Sequence, residues 1–303
     1  MNHLKNNKST LKILVVGGSG VIGSKLVEYF LENNISVEFT YFTNNTPFGK
    51  GNLLDITQKD STIRLITKIN PDIVIHAAAL ANVDFCETNK NLANSINVEG
   101  TANVIAGCKI TKSKLVYIST SFVFDGRKQK YFEEDLTSPS TYYGITKFKG
   151  EELVRQSGLP YLILRTDQPY CWVEKWQHTN SVLRVLETLQ SGKVLREIVD
   201  WYNTPTYVPD FVQALGKLID DDAIGIYHLV GSDWINRYDW SLLIVDIFGL
   251  DKNMIEPITS DALNLPAKRV SVNLSNQKIF QKAGIRMIGV KEGLMKMLEM
   301  NRS

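Results

Sequence analysis

Short apolar runs alternate with amphipathic stretches through the first half of the chain. Residues 12–16 (K-I-L-V-V), 73–75, 114–118 (K-L-V-Y-I) and 159–164 have the pattern of strands buried on both faces. Residues 35–42 read as another strand. Residues 24–33 read as a helix, with Ile22, Leu26, Val27 and Phe30 on one side, and 61–69 and 92–108 read likewise. Asn70-Pro71-Asp72 stops the second of these helices. Thr137-Ser138-Pro139-Ser140 opens a further one, with proline in a helix-start position. Strand–helix alternation repeated over 12–165 predicts an α/β fold, a doubly wound parallel sheet. After Arg165-Thr166 the pattern loosens. Residues 167–178 are rich in Trp and Tyr and read as a ligand-facing loop. Residues 179–192, 211–219, 237–248 and 290–300 read as helices, and 225–230 as a strand.

Composition narrows the class without changing this picture. The 303 residues are 44% hydrophobic and 22% charged, as in ordinary soluble globular chains. Thirty-four basic against 32 acidic residues leave a net charge of +2, with no basic stripe, so no nucleic-acid footprint is expected. Cys86, Cys108 and Cys171 are odd in number and lack a C-x-x-C. His3, His76, His178 and His228 make no metal-ligand spacing. Neither a disulfide framework nor a metal site is expected, and a reducing, cytoplasmic setting follows. Residues 1–10 are polar and Asn/Lys-rich and read as a flexible tail, without the apolar core of a signal peptide. No apolar run is long enough to span a bilayer.

Candidate chemistry sits where the strands end. Gly17-Gly18-Ser19-Gly20-Val21-Ile22-Gly23 joins the first strand to the first helix, with Gly17, Gly20 and Gly23 spaced as G-x-x-G-x-x-G. Glycine there permits a tight turn and close approach of backbone to a pyrophosphate, whose charge the helix start favours. The second strand ends in Tyr41-Phe42-Thr43-Asn44-Asn45. No acid repels a 2′-phosphate there and no Arg grips one, so NAD and NADP are both accommodated, with the missing repulsion tilting toward NADPH. Thr43, Asn44 and Asn45 could bond either form. Asp55 could accept from an adenine amino group or cap a helix from Thr57, and both readings stay open. His76-Ala77-Ala78-Ala79 leaves room for a flat ligand beside the backbone, with His76 read as a packed structural histidine. Hydroxyls of Ser119, Thr120 and Ser121 fall at the ligand edge of the sheet. Lys268-Arg269 reads equally as a contact for an acidic ligand or as a solvated pair.

Tyr143 and Lys147 are four residues apart, so they share one helix face. An ammonium held near a phenol favours its ionised form, which expects a lowered Tyr143 pKa and a proton donor and acceptor usable near neutrality. Tyr142 has Thr146 at the same spacing and is not equivalent.

Taken in order, G-G-S-G-V-I-G at 17–23, H-A-A-A at 76–79, N-V-D-F-C-E at 82–87, S-T-S-F-V-F-D-G at 119–126, Y-Y-G-I-T-K at 142–147 and P-A-K-R at 266–269 carry a resemblance. Over nearly its whole length the chain resembles the extended short-chain dehydrogenase/reductases. It is most similar to their dTDP-4-dehydrorhamnose reductase branch and the related regulatory beta subunits of methionine adenosyltransferase. The resemblance implies a Rossmann domain over 11–166 plus about 204–231. A smaller α/β substrate-binding region would take 167–203 plus about 232–303.

It also implies an NAD(P)H-dependent reductase of a nucleotide-linked 4-keto-6-deoxy sugar, with Thr120, Tyr143 and Lys147 as the catalytic trio. The implied cofactor contacts are Gly17, Gly20, Val21 and Ile22; Thr43, Asn44, Asp55 and Ile56; and Ala77, Ala78, Ala79 and Asn97, with Tyr143 and Lys147. Asn97 would have a structural or proton-relay role. The implied substrate contacts are Val83, Asp84, Thr120, Ser121, Gln168, Trp172 and Arg269. A homodimer is allowed. The chain also departs from the family pattern. Ser121 stands where the reductases usually carry Asp, Gln168 where they carry Trp with Trp172 as candidate replacement, and Val270 where they carry Pro. Phe42-Thr43 replaces the Arg residues of the adenosyltransferase subunit. Two alternatives are an epimerase holding NAD tightly and a non-catalytic NADP-binding regulatory subunit. Dehydration is disfavoured because no acid follows Thr120.

Overall fold

The computed structural model describes residues 11–44, 46 and 48–300. The expected tail over 1–10 and Asn45 lie outside the described residues. β1 (Lys12–Val16), β2 (Ser36–Tyr41), β3 (Asn52–Leu53), β4 (Ile73–His76), β5 (Lys114–Thr120) and β6 (Tyr161–Thr166) join a last strand, Gly225–His228, in one seven-stranded sheet. The spatial order is β3-β2-β1-β4-β5-β6 followed by Gly225–His228, and every neighbouring pair is parallel. Ile13 pairs with Ile73, Ile75 with Val116 and Ile118 with Leu164. This is the doubly wound α/β sheet that the alternation predicts.

The runs are apolar throughout because both faces are covered. α1 (Val21–Glu32) sets Leu26, Val27 and Phe30 on one face. There they meet Ile13, Val15 and the Phe211 and Leu215 side chains of the helix Val208–Asp220. α2 (Lys59–Ile69) sets Ile66 and Ile69 on the other face, with Leu14, Val16, Val104 and Val154. A separate apolar cluster joins Val182, Leu186 and Leu189 of the helix Ser181–Gln190 to Trp240, Ile244, Leu294 and Met297. The strand order reverses between β1 and β4, and the crevice beyond their carboxyl ends is the place such sheets leave for a ligand.

Several boundaries differ from the sequence pattern. The helix expected at 92–108 runs from Lys90 to Thr111 and contains a π-helical segment, Ser95–Glu99. An inserted turn of that kind leaves the apolar period intact on either side and so is silent in sequence. The strands expected to stop at 118 and 164 continue to Thr120 and Thr166, which carries the hydroxyls to the sheet edge. The helix expected to open around Pro139 starts at Tyr142. Thr141 caps it by accepting from the Gly144 N–H at 3.1 Å.

Candidate active site

The glycine turn forms a cradle. Gly17 has φ +87°, and a Cβ there would lie 2.6 Å from the Ala78 backbone nitrogen. The turn therefore needs glycine for both conformation and space. The Gly17 N–H donates to Thr40 Oγ1 at 3.0 Å and the Gly18 N–H to the Thr40 carbonyl at 2.8 Å, which fixes the turn against β2. No side chain caps α1, and its first turn holds no acid, so its N–H groups are left for an anion.

Beside the turn lies a cleft of about 360 Å³. Gly17, Gly20 and Val21 line its floor, Thr43 and Asn44 one end, and Asp55 and Ile56 the side. Ala77, Ala78 and Ala79 form the opposite wall. Phe42, 64% exposed at the end of β2, also lines it. An exposed aromatic at a strand end is the signal that could have marked it. Among the described residues, no Lys or Arg lines this part of the cleft. Asp55 accepts from the Thr57 hydroxyl at 2.7 Å and its N–H at 2.9 Å. Burial alone would raise the Asp55 pKa, but these bonds outweigh it and the net shift is downward. The helix that follows starts at Lys59 with Gln58 in the cap position, so Asp55 closes a turn and does not cap a helix from Thr57.

The loop after β6 crosses this cleft. Asn44 Nδ2 donates to the Trp176 carbonyl at 2.8 Å, and Gln177 Nε2 donates to the Ser19 carbonyl and Ser24 Oγ at 3.0 and 2.9 Å. A second space of about 420 Å³ continues from the first, and Val21, Ala77, Ala79 and His178 line both. Ile22, Val83, Thr120, Tyr143, Lys147 and Gln168 line the second.

Thr120 is the last residue of β5, and Tyr143 and Lys147 lie one turn apart on the helix Tyr142–Arg155. That helix packs tightly on the segment after β5, since a Cβ on Gly144 would fall 2.1 Å from the Phe122 carbonyl oxygen. The close approach sets the Tyr143 hydroxyl where the Thr120 hydroxyl favours its ionised form. Phe122 meets the Tyr143 ring edge-on at 5.9 Å. Burial raises the Tyr143 pKa above its ordinary value, and the Thr120 hydroxyl only partly opposes it. The direction is opposite to the sequence expectation. Lys147 Nζ sits 4.0 Å over the Tyr117 ring. Its pKa is itself pushed down to about 7 by burial, against the pull of the Glu151 carboxylate. Desolvation is the largest cause of the shift at both groups.

Other expected residues are placed differently. Asn97 is buried and lines neither space. Its Nδ2 donates to the Leu80 carbonyl and Thr146 Oγ1, both at 3.0 Å, and its Oδ1 accepts from the Leu80 N–H at 2.8 Å. It ties the loop after β4 to the Tyr143 helix. His76 is buried, bonded to Thr101 Oγ1 at 3.0 Å, and held neutral by a pKa pushed down to about 3, chiefly by burial and then by the Lys147 charge. Ser121 donates to Asp167 Oδ1 at 2.8 Å. Asp84 and Arg269 form a paired contact at 2.6 and 2.9 Å, with Arg269 5.2 Å over the Trp201 ring, outside both linings. Burial pushes the Asp84 pKa up, but bonds from Arg269 and the Ala267 N–H bring it below its ordinary value. Neither open reading of Arg269, ligand contact or solvated charge, included this internal partner. Trp172 donates to the Met297 carbonyl at 2.7 Å and lines a different cavity, near Tyr29 and Tyr207. Asp167, Ser181 and Arg184 line the Tyr143 space without having been singled out in the sequence.

Comparison with known proteins bears on the family and the fold. The model of the RmlD substrate binding domain matches residues 11–303. The chain is similar to methionine adenosyltransferase 2 subunit beta of Rattus norvegicus, 28% identical over 300 residues, 95% of this chain and 88% of that one. It is similar to dTDP-4-dehydrorhamnose reductase of Aggregatibacter actinomycetemcomitans, 30% identical over 246 residues, 78% of each chain. Among solved structures, dTDP-4-dehydrorhamnose reductase of Bacillus anthracis in complex with NADP superposes with a TM-score of 0.87. It is 25% identical, and the match covers 96% of this chain and 99% of that one. With the family model spanning the whole described fold, the chain belongs to the RmlD substrate binding domain family.

Proposed function

We infer that this protein is an NAD(P)H-dependent reductase of a nucleotide-linked 4-keto-6-deoxy sugar. One observation carries the reading: Thr120, Tyr143 and Lys147 line a space continuous with the uncapped glycine cradle. The cradle fits a dinucleotide, because the turn that requires glycine at Gly17 sets the uncapped N–H groups of α1 beside a cleft walled by small alanines. Gly17, Gly20, Val21 and Ile22 would hold the pyrophosphate, and Thr43, Asn44 and Phe42 would border the adenosine. A bound reduced nicotinamide supplies hydride. Tyr143, kept protonated by burial, donates its proton to the ketone oxygen, and Thr120 hydrogen-bonds that oxygen as charge develops. Lys147 would favour the negative charge left on Tyr143 and would help hold the nicotinamide ribose. We place the protein in a reducing cytoplasm, with residues 11–166 and about 204–231 as cofactor domain and the remainder as substrate region.

The test is a panel of 4-keto sugar nucleotides incubated with NADH or NADPH, read as loss of reduced-cofactor absorbance. Turnover of none would overturn the reading. The similarity to methionine adenosyltransferase 2 subunit beta favours a second reading, a regulatory subunit. Co-purification with an adenosyltransferase, together with inactivity on the whole panel, would establish it. Bound NAD with no consumption of reduced cofactor would indicate an epimerase.

Two outcomes follow from the site. Gly17→Ala forces a left-handed φ on a side chain that also meets Ala78. Strain of about 1–3 kcal/mol is expected to weaken cofactor binding about tenfold or more, measured by fluorescence titration. For Lys147, the proton is lost through a pKa of about 7, so kcat/KM is expected to fall as pH rises past that value. A flat profile on the alkaline side would remove Lys147 charge from the mechanism. The folded pKa lies below the ordinary 10.5, so the unfolded chain binds more protons between the two values. This group therefore costs the fold stability below about 7 and relieves that cost progressively as pH rises toward 10.5.

A further inference from the structure

The chain departs from regular geometry just past β6. Gln168 has φ +39°, a left-handed conformation that residues other than Gly, Asn and Asp seldom adopt. Such backbone persists where its surroundings over-determine it, and it clusters where ligands are gripped. Here the surroundings are explicit. The Gln168 carbonyl accepts from the Thr206 N–H at 3.3 Å. Its side-chain Oε1 accepts from Ser181 Oγ and from Arg237 Nη1, each at 3.1 Å. Arg237 is buried, lies 5.4 and 5.1 Å over the Trp201 and Trp240 rings, and approaches the Glu197 carboxylate at 3.9 Å. Two donors on Oε1 fix the sense of the amide, since flipping it would set Nε2 against a guanidinium. Gln168 lines the space that Tyr143 and Lys147 line, and no described protein group accepts from its Nε2. Gln168 thus brings to the reacting end of the cleft an amide held by two anchors, with a donor that no described group takes up.

The rest of this wall narrows what that donor meets. Arg184 is paired with Glu197, and Arg237 with Glu197 and Gln168. The Asp167 carboxylate accepts from Ser121 and from the Thr204 N–H, both at 2.8 Å. Arg184 and Arg237 share the one Glu197 carboxylate, and Arg237 also spends its Nη1 on Gln168 and Ser181, so the Gln168 amide is a neutral donor on this wall. An apolar substituent would leave the amide N–H groups unpaired, at a cost. A neutral oxygen fits. In a 4-keto-6-deoxy hexose the hydroxyl next to the ketone is the one at C3.

We propose that Gln168 is a specificity-determining residue whose Nε2 donates to the C3 hydroxyl oxygen of the sugar. The enzyme then selects 3-hydroxy over 3-deoxy nucleotide sugars. The proposal rests on the reductase reading and adds the substrate feature that this wall reads. The experiment compares kcat/KM for one 4-keto sugar nucleotide and its 3-deoxy counterpart, in wild type, Gln168→Met and Gln168→Asn. Calorimetric binding of the same pair runs alongside. Wild type is expected to prefer the 3-hydroxy compound about tenfold or more, and Gln168→Met to bring the ratio within about twofold of unity. Asn tolerates the left-handed backbone better than Gln but is one methylene shorter, so Gln168→Asn folds and loses the same preference. A merely structural role lowers both substrates alike and preserves the ratio, and that result overturns the proposal. If no compound in the panel is turned over, the reductase reading falls, while the binding ratio still tests Gln168 separately.

Discussion

Replacing Tyr143 by Phe is expected to lower kcat by about 10²–10⁴-fold while cofactor affinity stays at the wild-type level. The change removes one oxygen and little else. The ring is buried and packs edge-on against Phe122, contacts that a phenylalanine retains. Thr120 Oγ1 also accepts from the Phe122 N–H at 3.2 Å, so losing the phenol leaves that hydroxyl anchored. The glycine cradle follows β1, on the other side of β4 from the strand that ends in Thr120. Tyr142→Phe is the matched control: its ring lies under Lys90 at 5.4 Å and does not line the cleft. Steady-state turnover and a cofactor titration on the two variants decide the matter. Normal turnover by Tyr143→Phe would remove the phenol from the chemistry.

Much of this arrangement is legible in the chain because its signals are local. A strand buried on both faces must be apolar along its length, so β1 and β5 announce themselves. The i, i+4 spacing of Tyr143 and Lys147 is a fact of helix geometry, and a glycine turn between strand and helix is read in a few residues. What the sequence hides depends on distant meetings. Asp84 and Arg269 pair across 185 positions, and nothing in the local pattern of either loop announces the other. Trp172, an aromatic next to a strand end, looks the same whether it turns toward Tyr143 or toward Met297. The direction of the Tyr143 shift was missed for a related reason. Spacing reveals the neighbouring ammonium, but burial depends on everything packed around the pair, and here burial is the larger effect.

The largest stability effect is expected from Arg165→Met. Arg165 is almost wholly buried at the end of β6 and grips Glu151 with two bonds, at 2.9 and 2.8 Å. Glu151 is fully buried one turn beyond Lys147, and Ser119 Oγ donates to it at 2.6 Å. Removing the guanidinium leaves a carboxylate without its cation in a region water does not reach. Breaking such a pair from one side costs about 3–5 kcal/mol, a large share of the stability of any domain. Removing both partners is a different perturbation, because no buried charge is then stranded. The double variant Arg165→Met with Glu151→Leu is therefore expected to recover most of the loss in urea denaturation. Its helix would hold Lys147 without the nearby carboxylate that keeps its pKa from falling further, so the alkaline limb of activity should move to lower pH. A stable double variant with an unmoved limb would show that Glu151 supports the fold alone. A single Arg165→Met change that unfolds at the wild-type urea concentration would show that the buried pair stabilises nothing.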